Sequence, residues 1–188
     1  MSGFVVVKVG GSLYDLPDLG PRLRQFLSEL SADRIAIVPG GGVTADAIRS
    51  FDAVHQLGEE PSHWLALRTL TVNAHFLAKF LPNFVVTADW SLPRIVLDAH
   101  AFALEDERRA DPMLHVWEAT SDCVAAQLAW RGQADQLLLL KSRSWIGSDW
   151  SQAAAEGVVD GIFPTYGDRL SSTAVRVVSL RDPARTSL

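Results

Sequence analysis

Two short apolar runs near the start of the chain each end in a cluster of small residues, Phe4-Val-Val-Val-Lys8-Val-Gly10-Gly11-Ser12 and Ile35-Ala-Ile-Val-Pro39-Gly40-Gly41-Gly42. Runs this apolar and this rich in valine and isoleucine read as strands buried on both faces, which calls for a parallel sheet covered on each side. Glycine directly after such a strand lets backbone amides approach a bound group where any Cβ would collide. Two such loops predict two anions held side by side. With Lys8 inside the first strand, the simplest chemistry is phosphoryl transfer between a nucleotide and a small acceptor.

The periods that follow alternate. Leu19, Leu23, Phe26, Leu27 and Leu30 recur at spacings of three and four, which predicts a helix over Asp18–Leu30. Arg34–Val38 is the next strand. Val43–Val54 follows the triple glycine as a helix, so its free amides point back at the loop. Ser62 reads as the N-cap of a long helix to Leu81 with Leu70, Phe76, Leu77 and Phe80 as core candidates, stopped by Pro82. Short strands are expected at Phe84–Thr87, Arg94–Leu97 and His115–Glu118, with a solvated loop at Leu104–Asp111. Thr120-Ser-Asp122 reads as a cap for a helix over Cys123–Arg131. Gln136–Leu140 is the most apolar late strand and ends at Lys141; a helix around Gly161–Leu170 and a strand at Ala174–Leu180 close the pattern. This order predicts a three-layer α/β/α sandwich on a mostly parallel sheet. At 188 residues and 48% hydrophobic, the chain is expected to form a single domain, residues 1–188.

Composition narrows the function. The net charge is −5 with no basic run, which argues against a nucleic-acid partner. No segment reaches the length of a membrane span, and Phe4–Val9 lacks the features of a secretory signal. The single cysteine, Cys123, excludes an intrachain disulfide and any multi-cysteine zinc site. The expected location is cytoplasmic.

In open α/β sheets ligands bind beyond the carboxyl ends of the strands, and both glycine loops, Asp122 and Lys141 fall at or just after expected strand ends. Neither loop reads as a Walker A or a G-x-G-x-x-G sequence. Lys8 interrupts an apolar strand, so its ammonium either reaches an anion or a carboxylate, or snorkels to solvent. Asp122 either orients that lysine or simply caps a helix. The five histidines show no metal-ligand spacing. The six tryptophans fit core and interface positions, and Cys123 fits a small buried site.

The combination of Lys8-Val-Gly10-Gly11-Ser12, Pro39-Gly40-Gly41-Gly42 and Thr120-Ser121-Asp122 before an alanine-rich helix resembles the amino acid kinase superfamily. Ser62-His63-Trp64-Leu-Ala66, Trp117-Glu-Ala-Thr120-Ser121-Asp122 and Val159-Asp160-Gly-Ile-Phe163-Pro164 are similar to the small archaeal-type aminomethylfuran phosphate kinases of methanofuran biosynthesis. The resemblance spans nearly the whole chain. It implies ATP and Mg²⁺ as cofactors and a phosphate-bearing small acceptor. Lys8 would bridge the migrating phosphate, while Gly10, Gly11, Ser12 and Lys141 would bind the nucleotide's phosphates. Gly40, Gly41, Gly42 and His63 would hold the acceptor, Asp122 would orient Lys8, and no residue would be a dedicated metal ligand. It also implies a homodimer through the helix that carries His63 to Leu81.

The chain departs from that pattern after Leu140. Relatives commonly continue with Thr-Asp and a Val-Asp-Gly-Val-type turn, whereas this chain reads Lys141-Ser142-Arg143-Ser144-Trp145-Ile-Gly147. The nucleotide-binding half is shortened, and a second phosphate-neutralising lysine has no match after Gly157, leaving Lys141 or Arg143 to substitute. Two readings stand beside the kinase: a non-catalytic protein of the same fold that binds an anion or nucleotide, and a subunit that works through a partner chain with exposed tryptophans at the interface.

Overall fold

The two glycine-terminated runs form neighbouring strands at the centre of one sheet. In the computed structural model, which describes residues 3–182, β1 (Phe4–Val9) pairs in parallel with β2 (Arg34–Pro39), Val9 opposite Pro39. β5 (Gln136–Lys141) lies on the other side of β1, and β4 (Arg94–Leu97) beside β2. β3 (Val85–Thr87) and β6 (Ala174–Ser179) are the edges, giving the order β3-β4-β2-β1-β5-β6 with every strand parallel. All the carboxyl ends therefore meet at one rim.

Alternation along β1 divides the core in two. Phe4 and Val6 face the side covered by α4 (Ala99–Asp106), α5 (Ser121–Gly132), α6 (Trp150–Ala155) and α7 (Phe163–Gly167). Val5, Val7 and Val9 face α1 (Leu19–Ser28). The long α3 (Glu59–Ala78) serves both, Leu67 and Leu70 on the first side, Ala74 and Leu77 on the second. Lys8 shares the parity of Phe4 and Val6, so its side chain points at α5. α2 (Gly42–His55) leaves the second glycine loop at the rim. The expected three-layer sandwich is what forms, wholly parallel within its six strands.

Several boundaries differ from the sequence reading. α3 begins at Glu59 behind Gly58, whose φ of +88° favours glycine, and Ser62 is a buried residue of its first turns rather than a cap. The helix ends at Ala78, short of Leu81. Leu70 and Leu77 are buried, while Phe76 is 38% exposed and Phe80 half-buried against Gly20. The expected loop at Leu104–Asp111 begins inside α4, whose cap Asp98 accepts the Ala101 amide at 3.1 Å. His115–Glu118 is not a strand, because it crosses the rim where no strand is available to pair with it. α6 has no counterpart in the sequence reading. The six tryptophans are all half-buried, so none is an exposed anchor.

One buried network ties the stretch after α4 to the C-terminal half of α5. Asp106, 1% exposed, accepts from Arg131 Nε at 2.7 Å, Gln127 Nε2 at 2.9 Å and the Met113 amide at 3.0 Å. Arg131 and Gln127 also donate to the carbonyls of Ala110 and Asp111. Asp106→Ala leaves the buried Arg131 charge without its carboxylate and the Met113 amide without its acceptor, an expected loss of about 3–5 kcal/mol measurable by urea unfolding.

Candidate active site

At the rim the two glycine loops touch backbone to backbone. A Cβ on Gly11 would lie 2.2 Å from the Gly42 nitrogen, and one on Gly40 would lie 2.3 Å from the Gly11 nitrogen. Real side chains cannot occupy those positions, so glycine there sets how closely the loops approach. Two amides are spent holding the loops to the sheet, Gly10 N–H on Leu140 O and Gly40 N–H on Val9 O, each at 2.8 Å. The donors left to meet a ligand are therefore those of Gly11 and Ser12 on one side and of Gly41 and Gly42 on the other. Gly41 is right-handed (φ −73°, ψ −52°) and Gly42 has φ +55°. Consecutive right- and left-handed residues form a concave nest of N–H groups that suits an anion.

A cavity of about 250 Å³ opens between these loops, lined by Lys8, Gly10, Gly11, Ser12, Gly41, Gly42, His63 and Lys141 among others. Gly40 and Asp122 belong to the wall behind it, Gly40 fixing loop shape and Asp122 holding charge. Asp122 is fully buried. Lys8 Nζ stands 2.8 Å from its Oδ1 and Lys141 Nζ 2.5 Å from its Oδ2. Both contacts are ion pairs, and Lys141 donates a directed bond. One carboxylate thus gathers two ammonium groups from adjacent strands.

Asp160, a residue the sequence reading left without a role, completes the cluster. Its Oδ2 accepts the Asp122 amide at 3.1 Å and the Thr120 hydroxyl. Its own amide lies 3.3 Å from Asp122 Oδ2. Thr120 occupies the N-cap of α5 but makes no side-chain capping bond, so Asp160 satisfies the orphan amide from across the fold. No local pattern reveals this, because the two partners are 38 residues apart.

The electrostatics follow from burial and pairing. Burial opposes charge on Asp122, yet Lys8 and Lys141 outweigh it and hold the carboxyl at about 2. Burial likewise opposes charge on Lys8, and Asp122 and Asp160 outweigh it, so its ammonium is held above its ordinary value. Lys141 is pushed down by burial and by the charge of Lys8. Asp160 is pushed up to about 6 by burial and by Asp122, against the pull of the lysines.

The acceptor side has different chemistry. His63 is 2% exposed; its Nδ1 lies 3.3 Å from Val116 O, and burial together with nearby His115 pushes it down to about 4. It is therefore neutral at pH 7, Nδ1–H donates, and Nε2 is an acceptor with no partner. Arg49, which the sequence reading did not single out, also lines the cavity. Its guanidinium lies over Trp117 at 5.4 Å and pairs with Asp46, and Trp117 Nε1–H donates to Asp52 at 3.0 Å. Cys123 is a buried thiol pushed up by burial, which suits its structural role. Among the described residues no group of three or more His, Cys, Asp or Glu is placed to hold a metal, and no helix is long and apolar enough to cross a membrane.

Residues 3–144 match the model of the amino acid kinase family. The chain belongs to that family. As an amino acid kinase family member it is similar to the [5-(aminomethyl)furan-3-yl]methyl phosphate kinase of Methanocaldococcus jannaschii, 36% identical over 66 residues, a match covering 35% of this chain and 30% of that kinase. Its fold is shared with the uridylate kinase of Archaeoglobus fulgidus, with a TM-score of 0.63 at 18% identity over 92% of this chain and 89% of that one. The aspartate kinase of Synechocystis gives a TM-score of 0.62 at 12% identity over 95% of this chain and 38% of that one.

Two outcomes are expected from the charge cluster. Lys8→Met and Lys141→Met each leave one ammonium on Asp122 and should fold. The double variant isolates a buried carboxylate beside Asp160 and should lose about 3–5 kcal/mol more than the sum of the singles, read by a double-mutant cycle in urea. The second concerns pH. Asp160 holds its proton to about 6 when folded, against about 3.9 for an unfolded Asp, so its contribution to stability falls as pH rises from about 4 to about 6 and is level above. The stability of Asp160→Asn relative to wild type should therefore rise across that window, as followed by melting temperature.

Proposed function

We propose that this chain is a kinase that uses ATP and Mg²⁺ to phosphorylate a small acceptor already bearing a phosphate. The observation that carries the reading is the pair of ammonium groups on Asp122, set at the floor of a cavity with amide donors on both sides. Glycine positions that a Cβ would fill, together with two lysines from adjacent strands, fit a nucleotide's terminal phosphates. Mg²⁺ would arrive on those phosphates and would supply charge neutralisation, with Asp160, which lines the cavity, the carboxylate that could hold it.

Residue by residue, Gly11 and Ser12 amides with Lys141 hold the nucleotide's β and γ phosphates. The Gly41–Gly42 nest, with Arg49 lining the same cavity, holds the acceptor's phosphate, and the neutral His63 ring lies along the remainder of the same molecule. Lys8 stands between them. An oxygen of the acceptor phosphate attacks the γ phosphorus, the bond from that phosphorus to the β–γ bridging oxygen breaks, and ADP leaves with the electron pair. An anionic oxygen needs no general base, so catalysis is positioning and charge neutralisation. Asp122 keeps both lysines charged and aimed.

The partial likeness to an aminomethylfuran phosphate kinase supports an acceptor of that class and a place in making a methanofuran-like one-carbon carrier. The same reading carries a cytoplasmic, homodimeric, single-domain enzyme with a shortened nucleotide half. Exposed Leu65, Val72 and Phe76 on α3 support the dimer. The lone bridge of Trp145 to Val177, standing after Lys141, supports the shortening.

The melting temperature with millimolar Mg-ATP tests the reading first. At about a hundred times the dissociation constant, ligand binding adds about 2.7 kcal/mol, hence a rise of about 5–10 °C. Lys8→Met and Lys141→Met should abolish most of that rise and each lower turnover of the aminomethylfuran phosphate acceptor by roughly a hundredfold or more. A chain whose melting is indifferent to Mg-ATP would be the non-catalytic binder instead.

A further inference from the structure

Asn73, in the second half of α3, is 4% exposed and outside the cavity lining, yet its side-chain amide nitrogen is aimed at the second glycine loop and at Thr44 in the first turn of α2. Its Nδ2 lies 2.8 Å from Gly40 O, 2.7 Å from Gly41 O and 2.8 Å from Thr44 Oγ1. A second donor comes from the other loop: Tyr14 O–H donates to Gly40 O at 2.9 Å. Thr44 O–H donates to Gly41 O at 2.6 Å. Both carbonyls are thus held from behind by two donors apiece.

Peptide planarity converts that into a statement about the ligand. In a trans peptide the C=O and the following N–H point in opposite directions. Fixing Gly40 O and Gly41 O toward the α3 side turns the amides of Gly41 and Gly42 the other way, into the cavity. Glycine is the residue most free to rotate these planes, so without the clamp the loop can present carbonyl oxygens, which repel an anion. Tyr14 adds a steric stop, since a Cβ on Gly42 would meet its ring at 3.1 Å. Burial pushes the Tyr14 phenol up, so it stays a donor at any working pH.

We propose that Asn73, assisted by Tyr14, is the positioning residue that sets the Gly41–Gly42 nest for a phosphate group. This rests on the assignment of that loop to the acceptor. Because Tyr14 follows the first loop and Asn73 sits on α3, the clamp also links the two halves of the cavity.

Inorganic phosphate is the probe, titrated into the full chain while the backbone amide resonances are followed by NMR. In wild type the Gly41 and Gly42 amides should shift and saturate. Asn73→Leu, which keeps bulk and removes the donor, should weaken phosphate at those amides at least tenfold while leaving the response of Gly11 and Ser12 within twofold. Tyr14→Phe should weaken it about threefold in the same pattern, and it decides the matter if Asn73→Leu does not fold. Wild-type affinity in a folded Asn73→Leu, or in Tyr14→Phe when that variant must decide, overturns the clamp but leaves the kinase reading standing. Equal loss at both loops also overturns it, as a general loosening. Wild-type Gly41 and Gly42 amides indifferent to phosphate would remove the acceptor assignment and the clamp together.

Discussion

A carboxylate with no exposure to water, held between two ammonium groups, is the constraint around which the rim is organised. Burying Asp122 alone would be costly, and burying Lys8 alone would be too. Each is tolerable because strand β1 and helix α5 bring them within 2.8 Å, and because Lys141 at the end of β5 takes the remaining oxygen at 2.5 Å. The helix start at Ser121, the register of β1 against β5 and the course of the chain through Asp160 all have to agree for that cluster to close.

The glycine loops depend on the same closure. Their backbones are in contact at distances that exclude any Cβ, so the spacing of β1 and β2 in the sheet becomes the spacing of two amide clusters in the cavity. A parallel sheet makes this possible, because adjacent strands deliver their carboxyl ends to one rim without a return turn between them. The lysines enter from the strands themselves and so share the sheet's rigidity.

Much of this was legible in the chain. Runs such as Val5–Val7 and Leu137–Leu140 can hardly be other than buried strands, and Lys8 and Lys141 stand out because each is a charge at the end of such a run. The glycines announce their loops for the same reason. What was hidden acts at a distance. Asp160 reaches Asp122 across 38 residues, and Asn73 reaches Gly40 across 33, with no periodicity or motif at either end. A serine before an apolar stretch looks like a cap, which points to Ser62, while the actual start of α3 depends on the backbone of Gly58. The segment at His115–Glu118 has a strand's composition but lies where no neighbour offers a ladder. His115 instead pairs with Glu107 and Glu60 and stacks on His63.

Asp160 lies beyond the stretch that matches the family, which ends at residue 144. A graft or chimaera cut at residue 144 would carry both glycine loops and both lysines intact, and still leave the first turn of α5 without its seal.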